Sequence, residues 1–80
     1  MAKRVGNELV LHDRVVNTVA LPGVPAGTRG KVILKNGFSW VRYRVLFDVG
    51  GPNGTDIGSL DRDVLTLVDR NGNPIEAGAN

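Results

Sequence analysis

Residues 29–45 read RGKVILKNGFSWVRYRV, and the folding of this stretch decides how the rest of the chain is read. Asn36-Gly37 lies between two runs in which apolar and charged residues alternate. An Asn-Gly pair in that setting predicts a two-residue type I′ turn, with positive φ at both central residues. Counting outward pairs Lys35 with Phe38, Leu34 with Ser39, Ile33 with Trp40, Val32 with Val41, Lys31 with Arg42, Gly30 with Tyr43 and Arg29 with Arg44. Side chains alternate between the faces of a sheet. One face then carries Gly30, Val32, Leu34, Val41, Tyr43, Val45 and Phe47, a core in which Tyr43 covers Gly30. The other carries Arg29, Lys31, Ile33, Lys35, Phe38, Trp40, Arg42, Arg44 and Leu46. Cation stands opposite cation there, which costs a fraction of ~1 kcal/mol per pair. A four-residue turn keeps these faces, whereas an odd-length loop sets Val32 and Leu34 with Arg42 and Arg44.

Outward from the hairpin, apolar residues come in short valine-rich runs punctuated by glycine and proline, with no helical period. That pattern predicts an all-β domain. Strands are expected over 14–21, 29–35, 38–47, 56–60 and 64–68. PGVPAGT (22–28) is a stiffened loop, DVGGPNGT (48–55) a long turn and DRD (61–63) a tight turn. The polar, glycine-rich end DRNGNPIEAGAN is expected to fray, with Ile75 its single anchor. The division is a flexible segment 1–8, one domain over 9–68 and a disordered polar tail 69–80.

Eighty residues make one small domain with a thin core, burying only about 60–65% of the surface its unfolded chain exposes. There is no cysteine, so neither a disulfide nor a thiolate metal site staples it. No apolar run approaches the roughly 20 residues that span a bilayer. Charges inside ELVLHDRVV (8–16), close behind the basic start, argue against a signal peptide. Cytoplasmic placement and no membrane partner are the expectations. Charge is uneven. Through Phe47, Lys3, Arg4, Arg14, Arg29, Lys31, Lys35, Arg42 and Arg44 face only Glu8 and Asp13, a balance of +6. From Asp48 on, Arg62 and Arg70 face Asp48, Asp56, Asp61, Asp63, Asp69 and Glu76, a balance of −4. Such polarity marks either an anionic partner for the basic half or halves that pair with each other.

Four pieces, DRVV (13–16), PAGTRGKV (25–32), YRVLFD (43–48) and SLDRDVLTLV (59–68), resemble the SH3-like small-barrel family, with a KOW- or Tudor-like outline. The resemblance covers roughly Leu9 to Val68 and implies a five-stranded antiparallel barrel. It also implies a glycine before DRV, where His12 stands, and an inward apolar residue where Asn17 stands. Relatives of this outline bind nucleic acid or protein tails, dock electron carriers as a small accessory protein of photosystem I does, or reduce dihydrofolate as the plasmid-encoded type II enzyme does. The Val-Gln-Ile-Tyr stretch of that reductase corresponds here to TDIGSL (55–60), which has neither the glutamine nor the tyrosine. That activity does not carry over.

No catalytic constellation is legible. His12 is the single histidine and reads as a surface or capping residue, and Ser39 and Ser59 have no base beside them in sequence. Asp48, Asp56, Asp61 and Asp63 read as turn residues, and GGPNG (50–54) lacks the lysine and helix of a phosphate loop. A non-catalytic binding module without cofactor or metal is expected. Its candidate site is the outer hairpin face: Arg29, Lys31, Lys35, Phe38, Trp40, Arg42 and Arg44. Basic side chains around exposed rings suit a nucleic-acid strand, because charges track phosphates while bases stack. Nucleic acid is the first expectation; the alternative is a protein hot spot, which Trp and Arg among apolar residues also suit. Ile33, Trp40 and Leu46 suit a homodimer seam. The bland reading is a solvated face neutralised by Asp56, Asp61 or Asp63.

Overall fold

The computed structural model describes residues 8–75. The chain is all-β, with β1 (Arg14–Asn17), β2 (Arg29–Asn36), β3 (Arg42–Phe47), β4 (Thr55–Leu60), a 3-10 turn (Arg62–Val64) and β5 (Leu65–Val68). All pairings are antiparallel, in the sheet order β4-β3-β2-β1-β5. β4 and β5 are thus the two edges of one sheet, yet only residues 61–64 join them. Flat, five strands put their edges about 19 Å apart. A tight 3-10 turn of about 2 Å per residue does not reach that far. The sheet therefore curls on itself, and the DRD turn is what brings its edges together.

Inside the curl lie Val15, Val32, Tyr43, Val45, Phe47, Leu60, Leu65 and Leu67, with Leu9 and Val24 plugging in from outside the strands. The tyrosine is anchored at its polar end, where its hydroxyl accepts a hydrogen bond from the Leu9 backbone N–H at 3.1 Å. Val24 enters from the proline-rich loop through its bridge with Leu21. That loop begins early, because β1 stops at Asn17 instead of running to Leu21. The Asn17 side chain is buried and bonds only to that loop's backbone.

The hairpin departs from expectation in register. Gly30 pairs with Phe47, Lys31 with Leu46 and Val32 with Val45; then, past a bulge at Ile33, Leu34 pairs with Arg44, Lys35 with Tyr43 and Asn36 with Arg42. The reversal is a five-residue loop, 37–41. Gly37 has a positive φ of 97° but Asn36 does not, so the turn is not type I′. An odd loop alone inverts the faces. The bulge adds one residue to β2 and restores them below Ile33, so Gly30 and Val32 stay inside. Leu34, assigned to the core from sequence, lies above the bulge and is 42% exposed. Tyr43 does not cover Gly30; Val45 and Phe47 do. Val41 belongs to the loop and packs only partly against the core.

His12, flagged by the family resemblance, gains a physical account. His12 stands in glycine's place with φ at +74° and donates its N–H to the Val32 carbonyl at 2.8 Å. The left-handed conformation explains why glycine suits the position. His12→Gly is expected to stabilise the domain by about 0.5–1 kcal/mol, relief of the left-handed strain outweighing the added chain entropy. A lowered urea midpoint would rule this out.

The segment expected to fray after Val68 makes a bonded return. Pro74 bridges Val68, and Ile75 donates its N–H to the Leu67 carbonyl at 2.7 Å. The rest of that tail, 76–80, and most of the N-terminal segment, 1–7, lie outside the described residues.

Candidate functional site

The outer hairpin residues do not form one surface. β2 places Arg29 and Lys31 at its start and Lys35 near its end, while Phe38 and Trp40 sit in the loop beyond the last strand pair. Arg42 and Arg44 alternate with buried Tyr43 and Val45 on β3, so both project outward. No cation of β2 faces one of β3: Lys31 lies opposite Leu46. The repulsion expected between Lys31 and Arg42, and between Arg29 and Arg44, is therefore absent.

At the tip, the cations are matched by carboxylates from elsewhere. Arg44 Nη1 donates to Asp56 Oδ1 at 2.9 Å. Its guanidinium lies against Gly58, where a Cβ would come within 2.8 Å of Nη2. β4 makes room for it with a bulge, because Arg44 faces the Gly58-Ser59 pair and Ser59 takes a φ of 57°. Arg42 Nε is 3.0 Å from Asp61 Oδ1, but its N–H is not aimed at a partner, so charge rather than a directed hydrogen bond joins them. The same guanidinium sits 4.3 Å from the centroid of the Trp40 ring. Lys35 Nζ donates to Glu8 Oε1 at 2.7 Å. That bond holds the ammonium above its usual range. Of the two readings of charge polarity, pairing between the halves accounts for Arg42 and Arg44, whose acids come from the second half. Asp56 and Asp61 are two of the three acids named from sequence as able to neutralise this face; Glu8 is the partner that sequence distance hid.

The apolar groups at the tip have no such cover. Phe38 is fully exposed and Trp40 is 69% exposed, with Ile33 and Leu34 also open to solvent. Gly37 permits this loop: a Cβ there would strike the Trp40 carbonyl. Ile33 and Leu34 join the patch through the bulge, which no local sequence signal announced. Leu46, placed with Ile33 and Trp40 in the homodimer seam, is half-buried and lies against Gly54 of the third loop.

Arg29 leaves the hairpin for the return after β5. It donates to the Asn71 carbonyl at 2.9 Å, with its guanidinium packed on Gly72. That turn is tied by Asp69, whose Oδ1 accepts the N–H groups of Asn71 at 2.9 Å and Asn73 at 3.0 Å. The bond from Asn73, with help from Asn71, Gly72 and the nearby Arg29 charge, holds the Asp69 carboxyl below its usual range. Among the described residues no cluster of histidine and acidic side chains could hold a metal. Among the described residues no helix is long and apolar enough to cross a membrane.

Comparison with known protein families gives a match over most of the chain. The family model described as the Xrn1 SH3-like domain covers residues 7–70. No curated protein and no solved structure matches the chain.

Proposed function

Because the chain belongs to the Xrn1 SH3-like domain family, we propose that it is a small binding module, and that it docks a partner protein through the tip of the β2–β3 hairpin. The observation that carries this reading is the composition of the tip. Ile33, Leu34, Phe38 and Trp40 are four of the seven large apolar side chains left exposed among the described residues. Around them Lys35, Arg42 and Arg44 each lie within 3.0 Å of a carboxylate. An apolar centre of aromatics with a charged, solvated rim is the anatomy of a protein interface, where Trp and Arg carry the largest share of the energy.

Nucleic acid is the second reading, favoured by Arg42 against Trp40 and by the open rings. Its weakness is electrostatic. Strand affinity comes chiefly from counterions released as cations neutralise phosphates, and the tip cations already face carboxylates. The sites named from sequence, Arg29, Lys31, Lys35, Phe38, Trp40, Arg42 and Arg44, then divide: the last five serve the tip, and the first two lie at the far end of β2.

Immobilised wild-type protein, with Trp40→Ala and Phe38→Ala as comparisons, tests the reading. A partner protein is expected to be retained by the wild type in moderate salt. Its affinity should fall by roughly 30-fold or more on Trp40→Ala, the scale of a hot-spot truncation of about 2 kcal/mol. Equal retention by all three proteins would defeat the proposal. Tight, steeply salt-dependent binding of a short single strand that is lost on Trp40→Ala would replace it with the nucleic-acid reading. A dimer in sedimentation that Trp40→Ala dissolves would replace it with self-association.

A further inference from the structure

At the end of the barrel opposite the hairpin tip, a cleft of about 140 Å³ opens between β1, β2 and the return after β5, lined by Arg14, Arg29, Lys31, Arg70, Asp48 and Asp69 together with small apolar residues. We propose that this cleft binds a small phosphate dianion, either free phosphate or the terminal group of a small phosphomonoester.

Opposed cations, sought in the hairpin and not found there, occur here. Arg14 and Lys31 are direct partners across β1–β2. Both are exposed, while their neighbours Val15, Gly30 and Val32 are buried, so both stand on the outer face of the sheet. Like charges in that position repel. Among the described residues neither has a carboxylate partner, and nor does Arg70, in contrast to Lys35, Arg42 and Arg44 at the tip. Arg29 is already oriented by the Asn71 carbonyl and Gly72, so a ligand need not freeze it. Of the two acids, Asp69 spends one oxygen on the turn's own N–H groups. Four cations against two carboxylates leave an excess of two positive charges. That excess, in a space holding a few molecules the size of water, selects a compact dianion. Guanidinium forks match phosphate oxygens in particular. The site stands apart from the proposed docking tip, since β2 runs eight residues, or roughly 25 Å, between them.

The test is an amide-resolved NMR titration of the full chain with inorganic phosphate at low ionic strength. Saturable shifts are expected at Val15, Gly30, Lys31 and Arg70, with the loop 37–41 unmoved. Lys31→Gln and Arg14→Gln should each weaken the affinity at least about fivefold. Without phosphate each should melt no lower than wild type, because a repulsion is removed, and each should lose most of the phosphate-induced rise in melting temperature. Shifts that grow without saturating, or that spread over basic residues throughout the chain, would overturn the proposal. So would unchanged affinity in both variants. A hexathymidylate strand that moves the same amides with higher affinity than phosphate would assign the cleft to a nucleic-acid backbone instead, also overturning it. Either result leaves the docking tip untouched, because the shifts of the two regions are read separately.

Discussion

Gly30→Ala should lower the melting temperature of the domain by roughly 4–24 °C, and Gly30→Val should lower it further. A Cβ added at Gly30 would lie 2.6 Å from Val45 Cγ1, 2.9 Å from Phe47 Cδ1 and 3.0 Å from the Leu46 carbonyl oxygen. The side chains can turn, but at full burial they have nowhere to go, and the carbonyl belongs to the paired strand. Overpacking of this kind costs about 1–3 kcal/mol and more when backbone must move. A domain of this size has a total stability of only about 4–12 kcal/mol, and each lost kcal/mol takes roughly 4–8 °C from its melting point. Thermal melts give the loss, and urea titration with an unchanged slope shows that stability rather than the unfolded state has changed. A coupled variant identifies the cause. Val45→Ala should cost less in the Gly30→Ala background than in the wild type, because it vacates the space that the new methyl needs. Tyr43→Phe should show no such relief. Relief from Tyr43→Phe instead would restore the register expected from the Asn36-Gly37 turn.

That register shows where local signals stop. The alternation in Arg42-Tyr43-Arg44-Val45-Leu46-Phe47 was enough to place β3 and its buried face, and Asp61-Arg62-Asp63 was enough to place the turn that closes the barrel. The pairing of β2 with β3 was not. Asn-Gly favours a tight turn by fractions of the energy at stake in the core, and seating Phe47 over Gly30 outweighs it. The resulting loop is odd in length and the bulge at Ile33 is odd as well. Their effects on facing cancel below the bulge, which is why Val32 lies inside despite the wrong pairs; above it the odd loop acts alone and turns Leu34 outward.

The site was legible in kind but not in place. Exposed Phe38 and Trp40 follow from their position beside the turn, whatever the register. The neutralisation of Arg42 and Arg44 depends on acids 12 to 19 residues away, and that of Lys35 on Glu8. Charge asymmetry made Asp56 and Asp61 visible as acids that could meet the hairpin, whereas nothing in the sequence tied Glu8 to Lys35. Arg14 and Arg70 escaped notice for different reasons. Arg14 opens a strand for which the sequence offered no pairing. Arg70 lies in a segment whose composition reads as a tail, yet the Val68–Pro74 bridge, the Ile75 bond to Leu67 and the Arg29 bond to Asn71 hold it to the barrel, while Asp69 ties its turn.

Asn17, the other departure from the family pattern, should prove as costly to replace as Gly30. It is 1% exposed. Its Nδ2 donates to the carbonyls of Val19 at 2.8 Å, Pro25 at 3.0 Å and Val24 at 3.4 Å, and its Oδ1 accepts the Thr28 N–H at 2.8 Å. One amide thus closes the loop 18–28, which in turn carries Val24 into the core. Leucine shares asparagine's branched side-chain skeleton but can satisfy none of these groups. Asn17→Leu should cost about 2–4 kcal/mol, since the Thr28 N–H and the Val19 carbonyl lose their partner. Hydrogen exchange should show the Thr28 amide opening first. Asn17→Asp separates bonding from packing. The introduced carboxylate keeps the acceptor for Thr28 but turns an acceptor toward three carbonyls, in a buried site. Its ionised form is therefore disfavoured in the fold, and its pKa there rises above the unfolded value of about 3.9. The sign follows: the variant binds more protons folded than unfolded, so its deficit grows as pH rises from about 4 and levels off above the folded pKa. Measured against wild type, Asn17→Asp should be closest to native stability in mild acid and furthest from it at neutral pH. A deficit independent of pH would mean that the side chain does not face those carbonyls, and that the loop is closed by something else.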